Sequence, residues 1–446
     1  MFKRQIISNL NTWRLGTPHR PLVVRGARQV GKTTVINNFG QKFDNYIYMN
    51  MERPEERSLM ESDMPFPELI SLLFLKKGKL RKPGDTLVFM DEIQNSPKTI
   101  SKLRYFHEDM PDLHIVVAGS LLENMVDMNL SFPVGRVDYL PVRPCSFKEF
   151  LVAMGRENLL ELLHMYRYTV HFHEELMTLF NQYTIVGGMP EAVQHFADHR
   201  DLMAVESVYS RLLRGYIDDA EKYAKTKKIN ETVRFLMQYG WYHAGSVIRL
   251  GNFAGSEYRS REVSEAFRLL QRAMLLELVY PSTSALLPAL PEHRRMPKLF
   301  WIDIGLLNYV TKVRKEIITL TELSDIWKGR VGEQVVAQEL LTLNQDINQT
   351  RSFWTRGKGE GSAEVDLTWV VDSQLIPIEV KTGHNAHLRS LHSFMEASPL
   401  NVAVRVWSGS FSVDEVTTIS RHKPFRLINI PFYLVGELEH IVRENG

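Results

Sequence analysis

The sequence has a single cysteine, Cys145, in 446 residues. No intrachain disulfide can form, and no cysteine cluster can hold a metal. No uninterrupted apolar run approaches the ~20 residues that a membrane helix needs, so no membrane contact is expected. The first residues, MFKRQIISNLNTW, lack the apolar core of a signal peptide. Neither sign of charge dominates: Lys plus Arg number 54, Asp plus Glu 52, and the net charge is +2. A nucleic-acid face would have to come from a local patch. There is no compositionally biased tract. These absences predict a reduced, cytoplasmic, globular protein, and the length predicts two to four domains.

What is present begins with PLVVRG, a short apolar strand. It leads into GARQVGKT and then TVINNFGQKF, which has a helical pattern. Strand, G-x-x-x-x-G-K-T and helix in that order are the context of a P-loop. Its backbone N–H groups, from Gly26, Ala27, Arg28, Gln29, Val30 and Gly31, would wrap phosphates at the positive end of the following helix, next to Thr34. Lys32 would reach the β- and γ-phosphates of ATP, and Thr33 would hold Mg²⁺ through its hydroxyl. A second strand is expected at NYIYMNME. A third, TLVFMDEIQ, ends in Asp91 and Glu92. An apolar strand ending in two acids is the Walker B pattern: Asp91 holds Mg²⁺ and Glu92 orients and polarises the attacking water. A fourth strand, HIVVAGS, ends at Ser120, where a polar side chain would sense the γ-phosphate. Strands alternating with helices at this spacing predict a parallel α/β sheet.

RGARQVGKTT, DEIQ, AGSLLEN, FPVGRVDYLPVRPCSFKEF and IVGGMPEAV, in that order, resemble the archaeal-type AAA ATPases of prokaryotes. In that family an AAA-like ATPase is fused to a carboxy-terminal domain usually described as nuclease-like. The likeness covers nearly the whole chain. It implies that Arg136 is an arginine finger acting on the nucleotide of a neighbouring subunit, and hence that the protein is a homo-oligomer. Pairing of Arg136 with a local acid such as Asp138 is the alternative.

From about residue 155 the apolar residues recur at helical spacing, as expected of a helical lid, with GGMP at 187–190 as a breaker. His164, His171, His173 and His195 share no metal-binding spacing. Residues 226–285 suggest two amphipathic helices followed by a wing. On the second helix Val263, Ala266, Phe267, Leu270 and Met274 form the apolar stripe. Arg261, Glu265, Arg268 and Arg272 fall on the opposite face. By resemblance this is a winged helix whose arginines would meet DNA phosphates. A solvated face with internal Arg–Glu pairs is the alternative.

The last third holds a further set. An amphipathic helix, WKGRVGEQVVAQELLTLN, carries Glu333. A strand holds Asp366, and after a turn at DS the strand QLIPIEVK holds Glu379 and Lys381, two apart and so on one face. Helix acid, strand acid, hairpin and E-x-K form the arrangement of PD-(D/E)xK nucleases. Glu333, Asp366 and Glu379 would bind Mg²⁺, and Lys381 would orient water or stabilise developing charge. His384, His387 and His392 follow closely.

The expected fold is therefore a multidomain α/β chain. A P-loop AAA-type core (1–155) is followed by a helical lid (156–225), a winged-helix-like unit (226–312) and a nuclease-like domain (313–446). The expected function is a Mg²⁺-dependent ATPase acting on DNA, with a metal-dependent nuclease-like tail. The alternative is a nucleotide-gated switch or scaffold whose tail only binds DNA or protein.

Overall fold

The computed structural model describes all residues except 1, 18, 83, 120–131, 134, 223, 225, 314–328, 344–345, 347–350, 358–362 and 382–387. Ser120, His384 and His387 lie outside the described residues.

The amino-terminal part is built on five parallel strands: β1 (Leu22–Arg25), β2 (Asn45–Asn50), β3 (Thr86–Asp91), β4 (His114–Gly119) and β5 (Asp138–Pro141). Their spatial order is β2-β3-β4-β1-β5. Every residue of β3 and β4 is buried, and between Thr86 or His114 at the start and Asp91 or Gly119 at the end each strand is a continuous apolar run instead of an alternating one. The two faces of the sheet feed separate cores. Val23, Val88, Met90, Ile115 and Val117 pack under the helices Pro54–Glu61, Phe66–Lys76 and Pro97–Asp109. Leu22, Val24, Leu87, Phe89, Val116 and Ala118 pack under Ile6–Leu15 and Lys32–Gly40. Alternate residues of one strand thus serve opposite layers. β1 lies between β4 and β5, so the loop leaving its carboxyl end opens into a crevice where a ligand can sit.

Helices Asn158–His164, His173–Val186, Pro190–His199 and Leu202–Lys222 occupy the stretch expected to be helical. Gly187 ends the second of them with φ 76°. A Cβ there would lie 2.6 Å from Asp303 Oδ1, and Gly is the residue that tolerates both conditions. Asp303 is fully buried and accepts from Gly188 N at 2.6 Å and Leu306 N at 2.8 Å.

The carboxy-terminal half shares one nine-stranded sheet. Its strands are β6 (Ser246–Val247), β7 (Leu276–Ser282), β8 (Lys298–Trp301), β9 (Ser352–Thr355), β10 (Glu364–Val371), β11 (Gln374–Lys381), β12 (Val402–Trp407), β13 (Ser412–Thr417) and β14 (Pro424–Pro431). Their order is β13-β14-β12-β11-β10-β9-β7-β8-β6. β7 pairs antiparallel with β8 and parallel with β9, so the sheet runs through the region where the sequence suggested two units meeting. The β10–β11 hairpin turns on Asp372 and Ser373, with φ 46° and 64°, the paired left-handed geometry that matches strand twist. Helix Ser260–Arg272 buries Val263, Ala266, Phe267 and Leu270, as its periodicity predicts, while Met274 lies past its end with φ 57°. One continuous core joins the four helices from Asn158 to Lys222, this helix, helix Arg330–Leu343 and the inner strands.

Candidate functional site

β1 delivers the chain into the P-loop, and Gly31, with φ 95°, caps the helix Lys32–Gly40. Gly26 admits no side chain: a Cβ would sit 2.6 Å from Val142 O. The Lys32 ammonium is buried and donates to Gly26 O and Ala27 O, both at 2.9 Å. Burial pulls its pKa down to about 8, against the opposing pull of Glu92 and Asp91. The cation rests on its own loop, at the centre of the curl where phosphate oxygens would offer stronger acceptors.

Thr33 Oγ1 donates to Asp91 Oδ2 at 2.6 Å, which brings together the two expected Mg²⁺-binding side chains. Burial raises the Asp91 carboxyl above its ordinary pKa, with Glu92 adding to it, while the Thr33 hydrogen bond works the other way. Glu92 leaves the strand in a left-handed conformation, φ 52°, and its carboxylate accepts from Gln94 Nε2. A non-glycine residue held there is a strained position of the kind found at functional sites. Gln29 is a second, with φ 61° in the P-loop itself.

Helices Pro190–His199 and Leu202–Lys222 stand over this loop. Arg28 pairs with Asp219 at 2.6 Å, and that hydrogen bond holds the guanidinium above its ordinary pKa. Tyr216 OH donates to Arg28 O at 3.0 Å. A cleft of about 730 Å³ remains, lined by Arg28, Gln29, Gly31, Lys32, Thr33, Thr34 and Glu92 on one side and Pro190, Glu191, Gln194 and Asp198 on the other. Val30 is buried in the sheet core instead of lining it.

Arg4 escaped the sequence reading. It is buried, donates to Val30 O at 3.3 Å and Arg143 O at 2.7 Å, and pairs with Glu149 at 2.9 Å. It ties the P-loop to the capping box of helix Phe147–Ala153. Nothing local in FKRQ signals this, because Glu149 is 145 positions away. Arg136 pairs with Glu108 at 2.6 Å, and Asp138 pairs with Arg20 at 3.6 Å, so the acid beside Arg136 within this chain is not Asp138.

The carboxy-terminal acids converge, but around a residue that sequence reasoning missed. Lys298 on β8 is 1% exposed. Its ammonium lies 2.8 Å from Glu333, 2.8 Å from Glu364 and 3.4 Å from Asp366. Burial works to lower the Lys298 pKa, but the carboxylates more than offset it and hold it above the ordinary value. Asp366 Oδ2 also accepts from Val380 N at 2.8 Å. Lys381 pairs with Glu379 at 2.8 Å, and Glu379 Oε2 is buried without a hydrogen-bond partner among the described residues. Burial, then the Asp366 charge, raises the pKa of both Glu333 and Glu379. Among the described residues no three Asp, Glu, His or Cys side chains form a group that could hold a metal ion. The signal was a lysine in the apolar strand KLFW, where an unpaired ammonium would be costly. His173 bonds Tyr433 OH and Ser408 O, and His164 stacks on His440 at 4.4 Å, both structural roles.

Among the described residues no helix is long and apolar enough to cross a membrane. Residues 18–151 match the family model described as an AAA domain. Residues 177–317 and 328–427 match two domains of unknown function, DUF8612 and DUF4143. No curated protein matches. Among solved structures, the chain is similar to the Walker-type ATPase PABY2304 of Pyrococcus abyssi, at 14% identity and a TM-score of 0.41, over 70% of this chain and 96% of that one. It is also similar to C. elegans PCH-2, at 10% identity and a TM-score of 0.28, over 47% and 68%. The amino-terminal part of this α/β chain is an AAA-type ATPase domain with a P-loop.

Proposed function

We propose that the chain is a Mg²⁺-dependent ATPase of AAA type that acts on DNA, with a carboxy-terminal domain of nuclease-like fold. The observation that carries the ATPase reading is the Thr33–Asp91 contact of 2.6 Å beside a buried Lys32 whose hydrogen bonds, among the described residues, go to the loop carbonyls of Gly26 and Ala27. These residues fit the nucleotide and the metal: a hydroxyl and a carboxylate meet at one point, and a cleft opens over them. Lys32 exchanges the carbonyls of Gly26 and Ala27 for phosphate oxygens. Thr33 and Asp91 are the side chains that would hold Mg²⁺, which when bound neutralises charge between the β- and γ-phosphates. Glu92 gives up Gln94 and accepts from the attacking water. Ser120 is the proposed γ-phosphate sensor. Arg136, released from Glu108, would serve the site of a neighbouring copy in a homo-oligomer. Lys32→Ala should weaken ATP binding, and Glu92→Gln should keep ATP but hydrolyse it slowly. Wild-type turnover by Glu92→Gln would overturn the reading.

The carboxy-terminal half supports two readings. In the first, Glu333, Asp366 and Glu379 bind a divalent metal and Lys381 assists cleavage of a DNA backbone. In the second, the chain is a nucleotide-gated switch, and this fold binds DNA or protein without cutting. The position of Lys298 favours the second, since its ammonium already compensates Glu333 and Asp366. Cleavage of branched, linear and single-stranded DNA with Mg²⁺ or Mn²⁺ separates them. Cutting that is lost in Asp366→Asn while ATP hydrolysis persists would restore the first.

A further inference from the structure

Strands β11, β12 and β14 are parallel, so their carboxyl ends lie together. One face of the three is covered near its start by helix Arg389–Ala397, whose Leu391, Phe394 and Met395 pack with Leu375, Ala403, Phe425 and Leu427. Two-residue steps along the same strands stay on that face, and there the residues turn polar. Glu379, Arg405, Asn429 and Ser412 stand in register across β11, β12, β14 and β13, and Lys381 is in register with Trp407. The carboxyl ends of parallel strands are where open α/β sheets bind ligands. Arg405 is half-buried, and its guanidinium stacks on the Trp407 ring at 4.2 Å. That ring is itself fixed: Trp407 Nε1 donates to Ser410 O at 3.1 Å, and a Cβ on Gly409 would lie 2.5 Å from it. Arg405 Nε is buried without a hydrogen-bond partner among the described residues. The acid whose charge supports it is Asp414, and that carboxylate accepts from Asn429 Nδ2 at 2.6 Å. Burial outweighs this support and pulls the guanidinium below its ordinary pKa. A half-buried cation without an adequate counter-charge costs stability, so one held on a rigid platform calls for an anion from outside the chain.

We propose that Arg405, presented by Trp407, holds a backbone phosphate of a nucleic-acid strand that runs across the carboxyl ends of β11 and β12 toward Lys381 and the acids. This rests on the reading that the chain acts on DNA, and it names where the strand lies. The guanidinium fork matches a phosphodiester through two parallel hydrogen bonds, and the stacked ring restricts the fork to one plane. Lys381 is engaged by Glu379 at 2.8 Å, which leaves Arg405 to meet the backbone. An aromatic ring beside a cation is the combination by which single strands are tracked without their sequence being read.

The test uses the full chain carrying Lys32→Ala, so that the P-loop holds little phosphate, in EDTA so that no cutting intervenes. The probe is a fluorescein-labelled single-stranded oligonucleotide followed by anisotropy, with thermal unfolding measured alongside. Saturable binding is expected, weakened about tenfold or more in Arg405→Met and largely kept in Arg405→Lys. The melting temperature of Arg405→Met should be unchanged or raised, since a poorly compensated charge is removed while an apolar stem stays over Trp407. A lowered melting temperature would make Arg405 a structural residue and overturn the proposal. Equal affinity in Arg405→Met would overturn it while leaving DNA binding in place. No binding by the parent protein would overturn the DNA reading itself, and this proposal with it. Displacement of the oligonucleotide by polyglutamate or by pyrophosphate, at equal concentration of charge, would assign the site to an acidic protein segment or to a small phosphorylated ligand and overturn the strand.

Discussion

Glu339 is the most informative residue to neutralise. It stands on helix Arg330–Leu343 and is 2% exposed. Its Oε1 accepts from Tyr183 OH at 2.6 Å and from Phe147 N at 3.1 Å. It therefore joins the carboxy-terminal half to the helix whose capping box holds Arg4 and, through it, the P-loop. Burial raises its pKa from 4.5 to about 7, although the Tyr183 and Phe147 hydrogen bonds pull the other way. The sign follows from proton binding. Between 4.5 and about 7 the folded chain holds this proton more tightly than the unfolded chain, so the contribution is present at low pH and lost as pH rises through about 7. At 1.36 kcal/mol per pH unit, that interval corresponds to roughly 3 kcal/mol. Glu339→Gln keeps the shape and an oxygen for both donors but cannot ionise. Urea unfolding of both proteins, followed by tryptophan fluorescence from pH 5 to 8, gives the comparison. At pH 5 the two should be similar. By pH 8 Glu339→Gln should be the more stable, by up to roughly 3 kcal/mol. Parallel pH profiles, or a wild type that gains on the variant as pH rises, would refute the reasoning.

Gly26→Ala should impair ATP binding and cost about 1–3 kcal/mol, because the added methyl meets the Val142 carbonyl; nucleotide titration and thermal unfolding check the two effects. Lys298→Met should destabilise by about 3–5 kcal/mol, since it strips the shared cation from Glu333, Glu364 and Asp366, and a thermal melt unchanged by the substitution would remove Lys298 from that role. Arg136→Ala should lower ATP turnover with little change in ATP affinity, and wild-type specific activity should rise with protein concentration. A concentration-independent rate together with an active variant would leave Arg136 as a partner of Glu108 alone.

The part of the fold that could be read from the sequence is the part whose physics is local. The P-loop is contiguous, and Gly31 needs a positive φ that only a few residues tolerate. Asp91 ends a fully buried strand, so the abrupt end of an apolar run marks it. The acids at 333, 366 and 379 could be placed on their elements for the same reason. Their charge state could not, because it depends on a strand that crosses from another stretch of chain. Lys298 reaches Glu333 because helix Arg330–Leu343 packs on β8, and it reaches Glu364 and Asp366 because β7 and β9 join β8 to β10, and no periodicity in KLFW or EVDLTWVV reports either arrangement. Arg4 and Glu339 were hidden in the same way: each is a buried charge whose partner is more than a hundred positions distant. These long-range pairs share a consequence. Arg4 holds Val30 and Glu149, Glu149 caps the helix whose first N–H Glu339 accepts, and Glu339 shares its helix with Glu333 beside Lys298. The links from Val30 to Arg4, Glu149, Phe147 and Glu339 are buried polar contacts, and the last, from Glu339 to Glu333, is the helix they share. The chain of contacts between the P-loop and the carboxy-terminal acids thus runs through buried charged side chains that a reading of the sequence would place on the surface.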